Sequence, residues 1–166
     1  MKKTTRLKKP TYIREIEIRY KKRRTKADVP VDAPLTDPRR VYELFADLQN
    51  EAKEKLITIS VDAKLKLLCF EVVAIGSVSS VYARPVEVLR AAIPLNPHGI
   101  IVVHNHPSGD PTPSRDDEKF TSNLLINTTS LGLEFYDHII IGDDGYFSFS
   151  ESGLMQRLKF KLAKTK

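Results

Sequence analysis

The chain contains no tryptophan, one cysteine and two methionines in 166 residues, and its first glycine is Gly76. A lone cysteine, Cys69, cannot close an internal disulfide, which excludes a disulfide scaffold and predicts a reducing, cytoplasmic setting. No apolar run approaches the roughly 18 residues of a membrane-spanning helix. The N-terminus is basic at Lys2, Lys3, Arg6, Lys8 and Lys9 but lacks the apolar stretch of a signal peptide. With only 7 Gly and 10 Pro, collagen-like sequence is excluded. What remains is ordinary for a soluble globular domain: 41% hydrophobic, 29% charged, and long enough to bury a core without disulfides or a structural metal.

The net charge of +6 is unevenly spread. Residues 1–26 hold 12 basic and 2 acidic side chains, and residues 157–166 hold five basic ones with no acid. Residues 27–156 therefore carry 10 basic and 19 acidic side chains, a net of −9. A basic total points towards nucleic acid, but its distribution confines any such surface to the two ends. Solvated tails that aid solubility are the alternative.

Hydrophobic spacing divides the chain further. Residues 1–10 read as a tail, Tyr12–Tyr20 as a half-buried strand with Ile16, Ile18 and Tyr20 on one face, and Lys21–Leu35 as a linker. Asp37-Pro38 is a helix start, followed by Val41, Leu44, Phe45 and Leu48 on one apolar face. Strands are expected at Lys55–Val61 and Lys66–Ile75, and a short helix from Pro85 to Ile93. The apolar run Gly99–Val103 reads as a strand buried on both faces. A helix from Ser114 to about Leu125, strands at Phe135–Ile141 and Tyr146–Phe149, and a last helix from about Glu151 complete the pattern. The expected organisation is a basic N-terminal extension (1–36), one α/β domain (37–156) and a basic C-terminal tail (157–166).

Chemistry concentrates after the buried run. His104 and His106 are two apart, so in extended backbone both side chains fall on one side. Asp117 follows eleven residues after His106, past a loop with Gly109, Pro111 and Pro113. Two histidines and one carboxylate leaving an open position suit a catalytic Zn²⁺, which would lower the pKa of its water to about 7. The same donors suit non-haem Fe(II). A histidine pair at a strand end is also commonplace polar surface. Ser114-Arg-Asp-Asp117 is a near-match to a helix capping box, in which Asp117 reaches back to its own helix start. Capping and metal ligation are expected to exclude each other for the Asp117 side chain.

His104-Asn-His106, seven residues, Ser114, two residues, Asp117 is the H-x-H-x(7)-S-x(2)-D pattern of JAMM/MPN-type metalloprotease domains. The longer string from His104 to Ser114, with Asp137-His-Ile-Ile-Ile-Gly142 and Tyr146-Phe-Ser-Phe149, closely resembles the RadC family over about Glu54 to Gly153. The resemblance implies a cytidine-deaminase-like, MPN-type α/β fold, a single mixed central sheet flanked by helices. It implies zinc held by His104, His106 and Asp117, and Ser114 hydrogen-bonding the oxyanion or the water. It further implies Glu54, eight residues before Asp62, as general base, with Glu51 the competing candidate that lacks the spacing. Asn105, Pro107, Ser108 and Gly109 would shape the metal loop.

The chain also departs from the family. Arg84-Pro85-Val86-Glu87 replaces the usual Pro-Arg-Glu order, and no glycine-containing helix-hairpin-helix region precedes the domain, which weakens a DNA-repair role. Of the other residues, His138 either orients a neighbour or packs, His98 is a turn residue, and Cys69 is a core thiol. Gly76–Ser80 is a connection or a cleft wall. Three functions are compatible with these features: a zinc-dependent hydrolase of amide or isopeptide bonds acting on a protein or peptide, a DNA-associated protein gripping phosphate through its basic ends, and an inactive interaction module.

Overall fold

Strand β3 (Gly99–Asn105) is the centre of the structure, a computed structural model that describes residues 30–76, 83–143 and 145–164 and, nearer the N-terminus, residues 13, 16, 17 and 19–22. Every residue of β3 is buried, as its unbroken apolar run predicts. β1 (Lys55–Val61) pairs antiparallel with it on one side, and β4 (Glu134–Ile141) pairs parallel on the other. β2 (Leu67–Ile75) and β5 (Tyr146–Ser148) form the edges, each antiparallel to its neighbour, so the order is β2-β1-β3-β4-β5. The sheet is single and mixed, as expected.

Residue parity separates two cores. Odd positions of the middle strands, Ile57, Ile59, Ile101, Val103, Ile139 and Ile141, pack with Val41 and Phe45 of helix α1 (Pro38–Phe45) and with Leu48 of the 3-10 turn that follows it. Ile100, Val102 and Ile140, with Leu56 and Phe135, pack on the other side against α2 (Pro85–Leu89), α3 (Arg115–Ser130) and α4 (Leu154–Ala163). A parallel pair needs a crossover connection, and α3 supplies it between β3 and β4. Residues of even number on β3 therefore face α3, which decides where His104 points.

Several boundaries differ from the sequence reading. Leu35 is buried, and its N–H donates to the Leu65 carbonyl at 2.8 Å, so the core begins within the expected linker. Ile13, Ile16, Glu17, Arg19 and Tyr20 form no strand, and Ile16 is 91% exposed; the rest of Tyr12–Tyr20 lies outside the described residues. The same holds for most of the basic 1–26 stretch and for 77–80 of the small-residue loop. Helix α2 ends at Leu89, and a separate 3-10 turn forms at Ile93–Leu95. Helix α3 runs past Leu125 to Ser130, with Thr128 buried and its hydroxyl donating to the Leu124 carbonyl at 3.0 Å. The basic C-terminal stretch is no free tail: 157–163 belong to α4, whose Leu158 is buried in the core. No helix among the described residues is long and apolar enough to cross a membrane.

Asp137 ties β4 to the turn before α4. Its buried carboxylate accepts from the His138 N–H and Ser150 N–H, each at 2.8 Å, and from the Ser148 hydroxyl at 2.5 Å. Burial outweighs these hydrogen bonds and pushes its pKa up to about 6. The unfolded value is about 3.9, so between about pH 4 and about pH 6 the folded chain retains a proton that the unfolded chain has released. Stability from this group is full below about pH 4 and falls by roughly 3 kcal/mol as pH rises through about 6. Asp137→Asn, which cannot ionise, is expected to lack that slope in denaturant unfolding. A wild-type-minus-variant difference that stays constant across the interval would contradict the assignment.

Candidate metal centre

The alternation of β3 turns His104 towards α3, where it is buried. His106 lies just past the strand end on the same side, and its N–H donates to the Ile141 carbonyl at 2.9 Å. The following loop is bolted to the end of β4. The Gly109 N–H donates to the His106 carbonyl at 3.0 Å, and the Gly109 carbonyl accepts from the Asp143 N–H at 3.0 Å. Gly109 adopts φ +84°, a left-handed conformation that favours glycine. A Cβ there would overlap the Asp143 carboxylate, and one at Gly142 would overlap the Gly109 carbonyl. Gly142 needs a close backbone approach that only glycine permits, whereas at Gly109 the left-handed backbone is what favours glycine.

The loop delivers Ser114 as the N-cap of α3. The Ser114 hydroxyl accepts from the Asp117 N–H at 3.2 Å, while Asp117 Oδ2 accepts from the Ser114 N–H at 2.7 Å. This is the capping box expected from the sequence. Yet the same carboxylate faces the histidines: Oδ1 is 3.2 Å from His104 Nε2 and Oδ2 is 3.5 Å from His106 Nε2. One carboxylate therefore both closes the capping box and faces the two histidines. A carboxylate has two oxygens and about four lone-pair sites, enough to cap a helix and face a cation at once.

His104 Nε2 and His106 Nε2 are 2.9 Å apart. His106 Nδ1 is 2.8 Å from the Asp110 carbonyl, which can only accept, so Nδ1 carries the proton and Nε2 of neutral His106 is a bare lone pair. Donors held about 2.05 Å from a tetrahedral zinc lie about 3.3 Å from one another. The observed separations of 2.9, 3.2 and 3.5 Å suit that spacing, and an octahedral face presents nearly the same one. His104, His106 and Asp117 thus form a group able to hold a divalent metal ion.

Comparison with known proteins identifies relatives of the chain. A family model described as the RadC-like JAB domain matches residues 35–154. The chain belongs to that family. The matched segment begins at the residue with which the core begins, Leu35. A UPF0758 protein of Aquifex aeolicus (strain VF5) is 40% identical over 121 residues, covering 73% of this chain and 52% of that one. A UPF0758 protein of Methanosarcina mazei is 41% identical over 123 residues, 74% of this chain and 54% of the other. One from Protochlamydia amoebophila (strain UWE25) is 44% identical over 115 residues, 69% and 50% respectively. The chain spans about half the length of the curated relatives it matches.

Beside the three donors of this RadC-like domain, Glu54 Oε1 lies 3.9 Å from His104 Nε2. Its segment is held by Asn105, which accepts from the Lys55 N–H at 2.8 Å and donates to the Glu51 and Lys53 carbonyls at 3.4 and 3.3 Å. Asn105 was expected to shape the metal loop; it grips the approach to β1 instead. Glu51, the competing base, is paired with Lys55 at 2.6 Å. Side-chain exposure is 2% for His104 but 13% for Glu54, 16% for Asp117 and 18% for His106, so the site opens on the side of those three. Ser114 sends its hydroxyl hydrogen to Asp117 Oδ2 at 2.6 Å. Cys69 is half-buried on β2, where burial pushes its thiol up, and His98 meets the Tyr136 hydroxyl at 2.7 Å.

The sequence reading missed Thr121 and left His138 open. His138 Nε2 is 2.8 Å from His104 Nδ1, and His138 Nδ1 is 2.6 Å from the Thr121 hydroxyl. Thr121 stands four residues after Asp117 on the same helix, a spacing that was available as a signal. The approach of His138 was not, since it follows from the parallel register that sets Val102 opposite His138.

Charge balance favours a cation. Burial opposes ionisation of Asp117, but the adjoining His104 and His106 imidazoles and the Ser114 hydroxyl outweigh it and hold the carboxyl well below the usual range. Burial likewise opposes charge on His106, and Asp117 with the Asp110 carbonyl reverses the effect and raises it. Burial and the neighbouring His104 keep His138 well below its ordinary value, hence neutral. Protons and metal compete for the same nitrogens. Metal affinity is accordingly expected to fall as pH drops from about 8 to about 5.5, as His106 takes up its proton. Competition with a chromophoric chelator measures this, and a flat affinity across the interval would contradict it.

Proposed function

We propose that this RadC-like JAB domain is a zinc-dependent hydrolase of amide or isopeptide bonds in a protein or peptide, working in the cytoplasm, where Cys69 stays reduced. The reading rests chiefly on one observation: His104, His106 and Asp117 converge on one point with the Glu54 carboxylate beside it. Zinc held there would lower the pKa of a water to about 7 and polarise a carbonyl. Glu54 stands where it can take a proton from the attacking water and return it to the leaving amine. Ser114 orients Asp117, and rotation of its hydroxyl away from Oδ2 would turn its hydrogen towards the developing oxyanion. All five expected positions are filled, which argues against an inactive interaction module.

Elemental analysis of protein purified without added metal tests the metal, with one zinc per chain expected. Iron in that position instead, or no metal after reconstitution, would overturn the zinc assignment. Glu54→Gln is expected to keep the metal and to lower turnover about 10²–10⁴-fold. Because the substrate is defined only by class, the assay is an unbiased search for peptides or conjugates cleaved by wild type and spared by Glu54→Gln. Equal cleavage by both proteins would remove Glu54 from the mechanism.

A second reading, nucleic-acid binding, is favoured by α4. Arg157, Phe160, Lys161 and Lys164, spaced i, i+3, i+4 and i+7, form one exposed stripe, with Lys164 Nζ 4.3 Å from the Phe160 ring centre. Three cations around an exposed ring suit single-stranded nucleic acid, phosphates on the cations and a base on the ring. Changing the three cations to glutamine in the full chain is expected to lower the salt dependence of single-stranded DNA binding by roughly 2–3 in log–log slope. An unchanged slope would remove α4 from consideration as a nucleic-acid surface.

A further inference from the structure

We infer that Thr121 and His138 are positioning residues that set the tautomer of His104, so that its Nε2 meets the metal as a bare lone pair. The inference rests on the metal-centre reading above and extends it to two residues outside the ligand set. All three side chains are buried, His138 and Thr121 completely.

The direction of each hydrogen follows from groups that can only accept. Thr121 Oγ1 is 2.7 Å from the backbone carbonyl of Asp117, which has no hydrogen to give. The single hydroxyl hydrogen of Thr121 therefore lies on that contact. His138 Nδ1, 2.6 Å from the same hydroxyl, must then be the donor. His138 stacks on Phe149 at 4.8 Å and meets the edge of Phe120 at 5.6 Å, an apolar setting that leaves the imidazole neutral with one ring proton. With that proton on Nδ1, Nε2 accepts. His104 Nδ1, 2.8 Å away, is the donor to it, which strips His104 Nε2 of hydrogen where the metal belongs.

The two histidine ligands are thus treated alike by different means. His106 donates directly to a carbonyl, that of Asp110. His104 is too deep for that, and its hydrogen-bond chain reaches a carbonyl only through His138 and Thr121. The terminal carbonyl belongs to Asp117, whose side chain is the third ligand. Loss of the Thr121 hydroxyl would leave His138 Nδ1–H without an acceptor, and an unsatisfied buried donor is costly. The His138 proton would then favour Nε2, forcing His104 to accept on Nδ1 and to carry its own proton on Nε2.

The test is a zinc titration against a competing chelator on full-length wild type, Thr121→Val and Thr121→Ser, with thermal unfolding as the control for folding. Thr121→Val is expected to lose about ten- to a hundredfold in zinc affinity and Thr121→Ser to bind nearly as wild type. Histidine nitrogen NMR of the metal-free proteins reads the tautomer directly. In wild type the His104 proton is expected on Nδ1, and in Thr121→Val at least partly on Nε2. A wild-type His104 protonated on Nε2 would overturn the inference even if Thr121→Val failed to fold, as would equal zinc affinity for wild type and a folded Thr121→Val. Wild type that binds no metal but keeps the Nδ1 proton would instead refute the proposed metal function and leave the positioning role supported.

Discussion

The carboxylate of Asp117 is the interaction on which the site depends. A partly buried carboxylate is costly unless its lone pairs are occupied and its charge is met. Here Oδ2 accepts from the Ser114 N–H and hydroxyl, while both oxygens face histidine nitrogens. The residue also lies in the first turn of α3, where the helix dipole favours negative charge. Helix initiation and the assembly of the His104–His106–Asp117 group are coupled in consequence: the hydrogen bonds that start α3 also aim Asp117 at His104 and His106. A change that frays this first turn displaces one member of the His104–His106–Asp117 group, and loss of the carboxylate removes the half of the capping box that holds the Ser114 N–H.

The sheet makes this meeting possible. Burial of β3 on both faces leaves its residues no choice but alternation, and alternation assigns His104 to the side that carries α3. Because α3 is the crossover from β3 to β4, its N-terminus lies near the C-terminal end of β3 by connectivity alone. The loop between is short and tied at Gly109 and Gly142 to the end of β4. Candidate donors from β3, from the loop and from α3 are therefore brought together by the fold itself.

Much of this was legible in the sequence, for identifiable reasons. β1, β2, β3 and β4 follow apolar runs of strand length, and Asp37-Pro38 and Ser114 mark helix starts by side-chain chemistry that acts locally. The clustering of His104, His106 and Asp117 was visible because they keep a fixed spacing across one strand, one loop and one helix start. Tertiary effects were not visible. Leu35 is buried by a hydrogen bond to Leu65, far along the chain, and α4 outlasts its basic composition because Leu154, Met155 and Leu158 reach the core. Asp117 seemed to face a choice only because a residue was counted as one acceptor, when its carboxylate offers two oxygens. The position of His138 depended on strand register, which no local pattern encodes.

The tripeptide His104-Asn105-His106 carries a division of labour that period two alone explains. Its even residues lie on the α3 side and supply two of the three donors. Asn105, of opposite parity and buried, grips the carbonyls of Glu51 and Lys53 and the N–H of Lys55. That grip fixes the backbone on either side of Glu54, whose own carbonyl accepts from the Gly76 N–H at 2.8 Å. Glu54 and the His104–His106–Asp117 group are thus referred to the same three residues of one strand, although Glu54 and Asp117 are 63 positions apart in the chain. A shift of β1 against β3 by one residue would turn the Glu54 side chain to the other face of the sheet and separate it from His104. The Glu54 carboxylate and the His104–His106–Asp117 group are therefore held together by strand register.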